Sequence, residues 1–375
     1  MREDDFPDLD TVYLDSACMS LRPEQVIASV KQYYDEYPVC PGRGNYQLSK
    51  KATQELENAR SQIADFISAD TEDVMLTSGT TESINTVAAS FPADKVILSD
   101  REHNSNLIPW QEHGYDIDIV ETGDEFIPQL ASSVQEGDLV SLVHVSNLDG
   151  YEIPVKEASE IVRENGAYLL LDAAQSIPHH PFSVKETEPD FVAFSGHKMC
   201  GPSGTGGLYA SERVKDMIDP LMTGGGSVTD STFTSHDEKA YPHGMESGLP
   251  NIAGLIGMGS AARYLDSIGM ETIRSHEETL SQQLYEEISD IDSVRNVGST
   301  NPGVISLRIG SLDPNQAAIM LDQRDIAVRS GMHCVHSWFH HHGKDPTIRV
   351  SLHLYNNSDD ITELIAALKE ISVLG

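Results

Sequence analysis

Lys198 closes the run at 190–198, read D-F-V-A-F-S-G-H-K, and its setting decides what its amine could do. Residues 190–194 are a short, apolar, β-prone run, too short for a helix, and the small pair Ser195-Gly196 breaks it. The lysine therefore follows a strand end. In a doubly wound α/β sheet that carboxyl edge is where ligands bind, and Ser195 and His197 offer a hydroxyl and a ring N–H to a phosphate. One strand earlier, A-Y-L-L-L at 167–171 is a buried-strand pattern that runs into Asp172, followed by Ala173, Ala174 and Gln175. A carboxylate at a strand end can keep a pyridinium nitrogen protonated, and a nearby lysine can form a Schiff base with an aldehyde. A lone lysine in a turn is ordinarily a surface residue. The acid one strand away changes that reading.

D-A-A-Q at 172–175, S-G-H-K at 195–198 and G-P-S-G-T-G-G-L-Y-A at 201–210, in this order and spacing, resemble the cofactor core of the pyridoxal 5′-phosphate enzymes of aminotransferase class V, fold type I. The resemblance implies a large, mainly parallel seven-stranded α/β sheet domain with a smaller α+β domain beside it. It also implies pyridoxal phosphate on Lys198, Asp172 at its ring nitrogen and Gln175 at its phenolic oxygen. Thr80, Thr81, Ser195 and His197 would seat the phosphate.

The elements that must carry these residues are legible from pattern. Strands are expected to begin near Val74, Lys95, Ile117, Leu139, Ala167, Asp190 and Gly206, with helices between most of them, which implies one large sheet within 50–245. No G-x-G-x-x-G opens a strand–helix unit, so a nicotinamide site is not supported. T-S-G-T-T-E at 77–82 leads from a strand into a helix expected over 83–90. Its turn presents backbone N–H groups and the positive end of a helix dipole, a seat for phosphate. His103 follows the strand at 95–99, and Asn147 follows the strand at 139–145. The resemblance implies that His103 stacks on the pyridoxal ring and moves protons, and that Asn147 touches the cofactor or the substrate carboxylate. An N-terminal helix over 22–34 and an amphipathic one over 48–68, with Leu56, Ala59, Ile63, Phe66 and Ile67 on one face, flank a glycine-punctuated loop at 40–46. By resemblance that loop brings Arg43 near the active site of a dimer.

The remainder, 1–49 and 246–375, is expected to form the smaller domain. A stretch of low order spans 222–243. Helical patterns follow at 251–268 and 270–291, strands at 303–309, 326–329 and 348–354, and a last helix at 359–368 capped by Ser358. Family members carry an E-x-G-T segment, with an arginine before it, whose threonine reaches the partner subunit's phosphate. Here Leu249 stands in the threonine's place and Gly244 in the arginine's.

Arg329-Ser-Gly-Met-His-Cys334 ends one of these strands, and Arg349 lies fifteen residues beyond the cysteine. A cysteine in a turn beside His333 and Arg329 could be a nucleophile, although unpaired cysteines are more often inert. Arginines grip planar carboxylates with two donors. The segment is similar to R-x-G-x-H-C of the SUF-type cysteine desulfurases and selenocysteine lyases, where the cysteine carries a persulfide. That likeness implies desulfuration of L-cysteine to L-alanine, with Lys198, Cys334 and His103 catalytic and Arg349, Arg329, Asn147 and Arg43 binding substrate. The sulfur would pass to an acceptor protein, for iron–sulfur clusters or other thiolated products. Alternatives are selenocysteine lyase or another class V lyase or aminotransferase. A non-catalytic sulfur carrier or scaffold is opposed by the presence of both Lys198 and Asp172.

Bulk composition narrows the partners. The 375 residues include 59 acidic side chains against 25 lysines and arginines, a net charge of −34, which repels nucleic acid and anionic membranes. The acidity is spread along the chain, and we read it as a solvated surface adapted to high salt. Four widely spaced cysteines, Cys18, Cys40, Cys200 and Cys334, make no disulfide framework and fit a reducing cytoplasm. The start, Met1-Arg-Glu-Asp-Asp, is acidic where a signal peptide is basic, and no apolar run is long enough to span a membrane. Asn356-Asn357-Ser358 matches a glycosylation sequon and is read as a helix cap. The triplet at 340–342 raises a metal alternative. Adjacent histidines diverge and no further ligand stands at a suitable spacing, so no metal is expected.

Overall fold

The computed structural model describes residues 5–42 and 44–373. A two-residue strand, Val12–Tyr13 (β1), comes first. Seven strands then build the large sheet: Val74–Thr77 (β2), Val96–Ser99 (β3), Ile117–Val120 (β4), Leu139–Val143 (β5), Tyr168–Asp172 (β6), Phe191–Ser195 (β7) and Gly206–Ala210 (β8). Their order is β2-β8-β7-β6-β5-β3-β4. Neighbours from β7 through β4 run parallel, and β8 lies antiparallel to both β7 and β2. The central strands are apolar on consecutive residues because both faces are covered. Leu170 faces a cluster with Val87, Phe91 and Trp110, whereas Leu169 and Leu171 face one with Phe126, Leu130 and Val162.

Beyond a hairpin of Val228–Ser231 (β9) and His236–Glu238 (β10), the second sheet is formed by Val294–Asn296 (β11), Val304–Ile309 (β12), Arg329–Gly331 (β14) and Thr347–Ser351 (β15). It is antiparallel, in the order β11-β12-β15-β14. Ile326–Ala327 (β13) pairs in parallel with β1, and Asp15 bridges to Ser351. The N-terminal segment is thereby laid against β15. Helices Met270–Ser289 and Ser358–Ser372 cover this sheet through Leu280, Leu284, Leu364 and Leu368. Helix Ile252–Ile268 packs between helices Glu24–Glu36 and Gln47–Phe66, and its Leu255 and Met258 join the cluster under Val192 and Phe194.

Several local boundaries differ from those read in sequence. The helix expected over 83–90 starts three residues earlier, as Thr80–Ser90, because Gly79 takes a φ of 147° and turns the chain straight off β2. Asn357, not Ser358, caps the last helix, and its side chain accepts from the N–H of Asp359 and Asp360 in a capping box. The expected strand over 326–329 is two strands in different sheets. Part of the stretch read as unordered is the β9–β10 hairpin. Arg43 lies outside the described residues.

Candidate active site

β7, β6, β5 and β3 deliver their carboxyl ends to one edge of the large sheet. Each is followed by a residue that faces a common cavity of about 230 Å3. Lys198 ends a single turn, Gly196–Lys198, directly after β7. Asp172 is the last residue of β6, Asn147 follows β5, and His103 follows β3. Thr80 and Thr81 enter from the helix start behind β2. The second sheet supplies Arg349 from β15 and Arg329 from β14, with Cys334 in the turn that follows. Ser195, His197 and Gln175 complete the expected set, so every sequence-predicted site residue that is described lines this one cavity.

Burial sets the electrostatics. It lowers the Lys198 ammonium below the ordinary lysine range, with Asp172 pulling the other way. Burial raises the Asp172 carboxyl, while Lys198 and the N–H of Ala174, 3.0 Å away, favour its anion. His103 is pushed down to about 3 by burial, then by Lys198 and Arg349. Its Nδ1 accepts from the Ser105 N–H at 3.1 Å, so the proton of the neutral ring sits on Nε2. The loop carrying His103 is pinned by buried Glu102. That carboxyl accepts from Val143 N–H at 2.9 Å and Asn106 Nδ2 at 2.6 Å.

The phosphate seat is built by close approach. A Cβ on Gly206 would lie 2.4 Å from the Gly79 Cα and 2.5 Å from the Phe194 oxygen, so only glycine lets the turn reach the sheet. Ser195 Oγ accepts from the Thr80 N–H at 2.9 Å and shares a hydrogen with Thr80 Oγ1 at 2.8 Å. Thr81 Oγ1 and Ser105 Oγ lie 2.8 Å apart. His197 is pushed down to about 4 by burial and stays neutral.

Asp15, which the sequence analysis did not single out, joins the two arginines. Its Oδ1 accepts from Arg349 Nη2 at 2.9 Å and its Oδ2 from Arg329 Nε at 3.2 Å. Arg349 is 2 % exposed, and its Nη1 donates to the Asn147 carbonyl at 3.1 Å. Four buried side-chain atoms of the cavity's described lining residues have no hydrogen-bond partner: Arg349 Nε, Asn147 Oδ1, Gln175 Oε1 and His333 Nδ1. The other amide nitrogens are engaged, Asn147 Nδ2 with the His333 carbonyl and Gln175 Nε2 with the Ala17 carbonyl, both at 2.7 Å.

Cys334 is exposed. It occupies a turn closed by the Val335 N–H on the Met332 carbonyl at 2.8 Å, with His333 at φ 51° and Cys334 at φ 59°. Two consecutive left-handed residues other than glycine are strained, and the strain is held by the docking of the turn. The Cys334 carbonyl accepts from the Asn104 N–H at 2.8 Å. His333, which the sequence sets beside the thiol, turns away from that role. Its ring is buried against Thr347 Oγ1 at 2.8 Å and is pushed down to about 3 by burial and then by Arg349. Arg329 is the cation that remains beside the thiol.

Within the triplet at 340–342, the rings of His341 and His342 meet edge to face with centroids 4.8 Å apart, but they reach different acids. His341 meets Glu121 and His342 meets Asp100, each at 2.8 Å. A different group, His179, Glu277 and His353, lies buried behind Lys198, its ligand-type atoms within 4.8 Å of one another. Its contacts form a hydrogen-bonded relay. Glu277 accepts from His179 Nδ1 at 2.9 Å, and His353 bonds the Lys198 backbone. Burial alone would raise the Glu277 carboxyl, but His179 and then His353 outweigh it and hold it at about 2. Asp15 and this relay reach the site across the fold, and no spacing in the sequence points to either.

Fold and cavity together define a fold type I enzyme of the pyridoxal 5′-phosphate class. The chain belongs to the aminotransferase class-V family, whose model matches residues 12–364. It is 37% identical to a probable cysteine desulfurase of Methanothermobacter thermautotrophicus, over 98% of this chain and 96% of that one. It is 33% identical to a cysteine desulfurase of Haloferax volcanii, over 95% and 88%. An apo cysteine desulfurase structure from Thermococcus onnurineus superposes with a TM-score of 0.94 at 33% identity, covering 98% of this chain and 96% of that one. The residues present fit pyridoxal 5′-phosphate. The amine opposite a buried carboxylate and the glycine-built seat at a helix start are each of the right kind for one part of that molecule.

Proposed function

We propose that this protein is a cysteine desulfurase that takes sulfur from L-cysteine as a persulfide on Cys334 and releases L-alanine. The observation that carries the reading is the placement of an exposed cysteine, on a rigid turn, over the same cavity as Lys198, Asp172 and Arg349. Bound pyridoxal 5′-phosphate supplies the electron sink that weakens the substrate's Cα–H and Cβ–S bonds.

Lys198, whose amine burial keeps easy to deprotonate, would hold the cofactor and move the α-proton. Asp172 would keep the ring nitrogen protonated. His103 would lie against the ring with its proton on Nε2; with Nδ1 engaged by Ser105 it is no base in the resting state. Gln175 would serve the phenolic oxygen, and Thr80, Thr81, Ser195 and His197 would hold the phosphate. The substrate carboxylate takes the Nε edge of Arg349, near Asn147, with Arg329 and Arg43 assisting. The Cys334 thiolate attacks the substrate sulfur from the cavity mouth, and Arg329 offsets its charge.

A homodimer and a sulfur-acceptor protein complete the reading. Leu221, Met222, Phe233 and Leu249 are exposed along 221–249, Leu249 being 69% accessible where the family threonine is missing, and exposed apolar side chains of this kind suit contact with a second copy. We place the large domain at 50–245 and the smaller one at 1–49 and 246–375, in a cytoplasmic protein. Among the described residues no helix is long and apolar enough to cross a membrane.

The test is an assay of purified holoenzyme in high salt with L-cysteine and a thiol reductant, following sulfide and alanine in wild type and Cys334→Ala. Equal yields in wild type, both lost in the variant while the cofactor absorbance persists, are expected. Undiminished turnover in Cys334→Ala would refute the persulfide, and turnover with selenocysteine alone would make the protein a selenocysteine lyase.

A further inference from the structure

Two thiols line the cavity: Cys334 at its mouth and Cys18 on its wall. The segment bearing Cys18 is fixed on both sides. The Cys18 N–H donates to the Asp15 carbonyl at 3.0 Å, and the Ser20 N–H to the His197 carbonyl at 3.0 Å. Ala17 is held by Gln175 Nε2 on its carbonyl at 2.7 Å and by Ser351 Oγ on its N–H at 2.9 Å. Both thiols share the cavity with the guanidinium of Arg329, which Asp15 holds at 3.2 Å. Two thiols in one small cavity, with a guanidinium to offset the charge that passes from the attacking to the leaving sulfur, are what thiol–persulfide exchange requires.

We propose that Cys18 is a second acceptor for the sulfane sulfur, receiving it from Cys334 inside the cavity. The proposal rests on the persulfide reading above. The Cys18 thiolate attacks the outer sulfur of the Cys334 persulfide, a new S–S bond forms at Cys18, the S–S bond at Cys334 breaks, and Cys334 leaves as a thiolate. The persulfide proton stays on the transferred sulfur. One S–S bond replaces another, so no oxidant or reductant is consumed. Cys334 is then free to react with a second L-cysteine before any external acceptor arrives. A sulfur parked on half-buried Cys18 is also shielded from solvent thiols that reach exposed Cys334.

The experiment is a reductant-free, anaerobic reaction of the holoenzyme with two equivalents of L-cysteine per chain, quenched by alkylation and mapped by peptide mass, with alanine counted in parallel. Wild type is expected to form close to two alanines per chain and to carry one extra sulfur atom on each of the Cys18 and Cys334 peptides. Cys18→Ser is expected to load Cys334 alone, with about half the alanine. Extra sulfur confined to Cys334 in wild type, with Cys18 alkylated as a plain thiol, overturns the proposal. So does a Cys18–Cys334 disulfide with sulfide released, since that requires attack on the inner sulfur. The wild-type map decides even if the serine variant does not fold. Absence of both alanine and extra sulfur in wild type refutes the desulfurase reading itself, and this proposal with it.

Discussion

Replacing Arg349 with methionine isolates the worth of the carboxylate grip. Methionine keeps much of the buried volume, and Asp15 retains Arg329, so the change leaves no charge stranded without a partner. In the resting site, one N–H on the cavity-side edge of the guanidinium, Nη2, is occupied by Asp15, and its neighbour Nε has no acceptor. A substrate carboxylate therefore gains one new charge-assisted hydrogen bond at Nε and exchanges for another at Nη2. The exchange is close to neutral. The new bond is worth about 1.5 to 3 kcal/mol. At about 1.4 kcal/mol per decade, kcat/KM for L-cysteine should fall roughly 10- to 150-fold in Arg349→Met. The assay compares L-cysteine with its methyl ester, which has no carboxylate to grip. Wild type should prefer the acid by about that factor, and the variant should discriminate little. An equal loss on both substrates would refute the reasoning, because Arg349 would then be supporting the site and not reading the substrate.

Three further perturbations test other parts of the molecule. Gly206→Ala should abolish stable cofactor binding, since its Cβ would meet backbone at 2.4 Å and 2.5 Å; a variant that keeps the cofactor absorbance through gel filtration would contradict the close-approach argument. His144 is buried, has no partner for Nδ1 and is pushed down to about 4 by burial, so the folded state refuses a proton that the unfolded chain takes up near pH 6.5. Its contribution to stability is intact above pH 6.5 and drains away as pH falls toward 4, at up to about 1.4 kcal/mol per pH unit. In His144→Phe, denaturant midpoints should be flatter over that window, and an unchanged acid slope would show that His144 does not titrate there. With a net charge of −34, the thermal midpoint should climb steeply from dilute buffer to molar KCl; full stability in dilute buffer would remove the high-salt reading.

The large sheet and most of the site were legible because each chemical residue follows its own strand within a few positions. Asp172 ends β6, Lys198 follows β7 and His103 follows β3, so a reader who finds the strands finds the site. Contacts made across the fold left no such trace. Asp15 meets Arg349 over a sequence separation of 334 residues, and its carboxylate looks like any acid in a chain that has 59 of them. Adjacency in sequence also misled. His333 neighbours Cys334 along the chain, yet two successive left-handed residues turn its ring into the core, where it remains neutral. The earlier start of the helix at Thr80 depended on the φ of Gly79, a backbone choice that composition leaves open.

The carboxylate of Asp15 gives the arginine pair a resident anion of its own. Because it is tethered, it competes at a fixed effective concentration, and a free anion must match that local concentration to take its place. A monovalent or inorganic ion offers no α-amino group to anchor it elsewhere in the cavity, so it meets this competitor unaided. An amino acid arrives with a second point of attachment and prevails. The arginine pair thus favours a carboxylate that comes attached to an amine over a free anion.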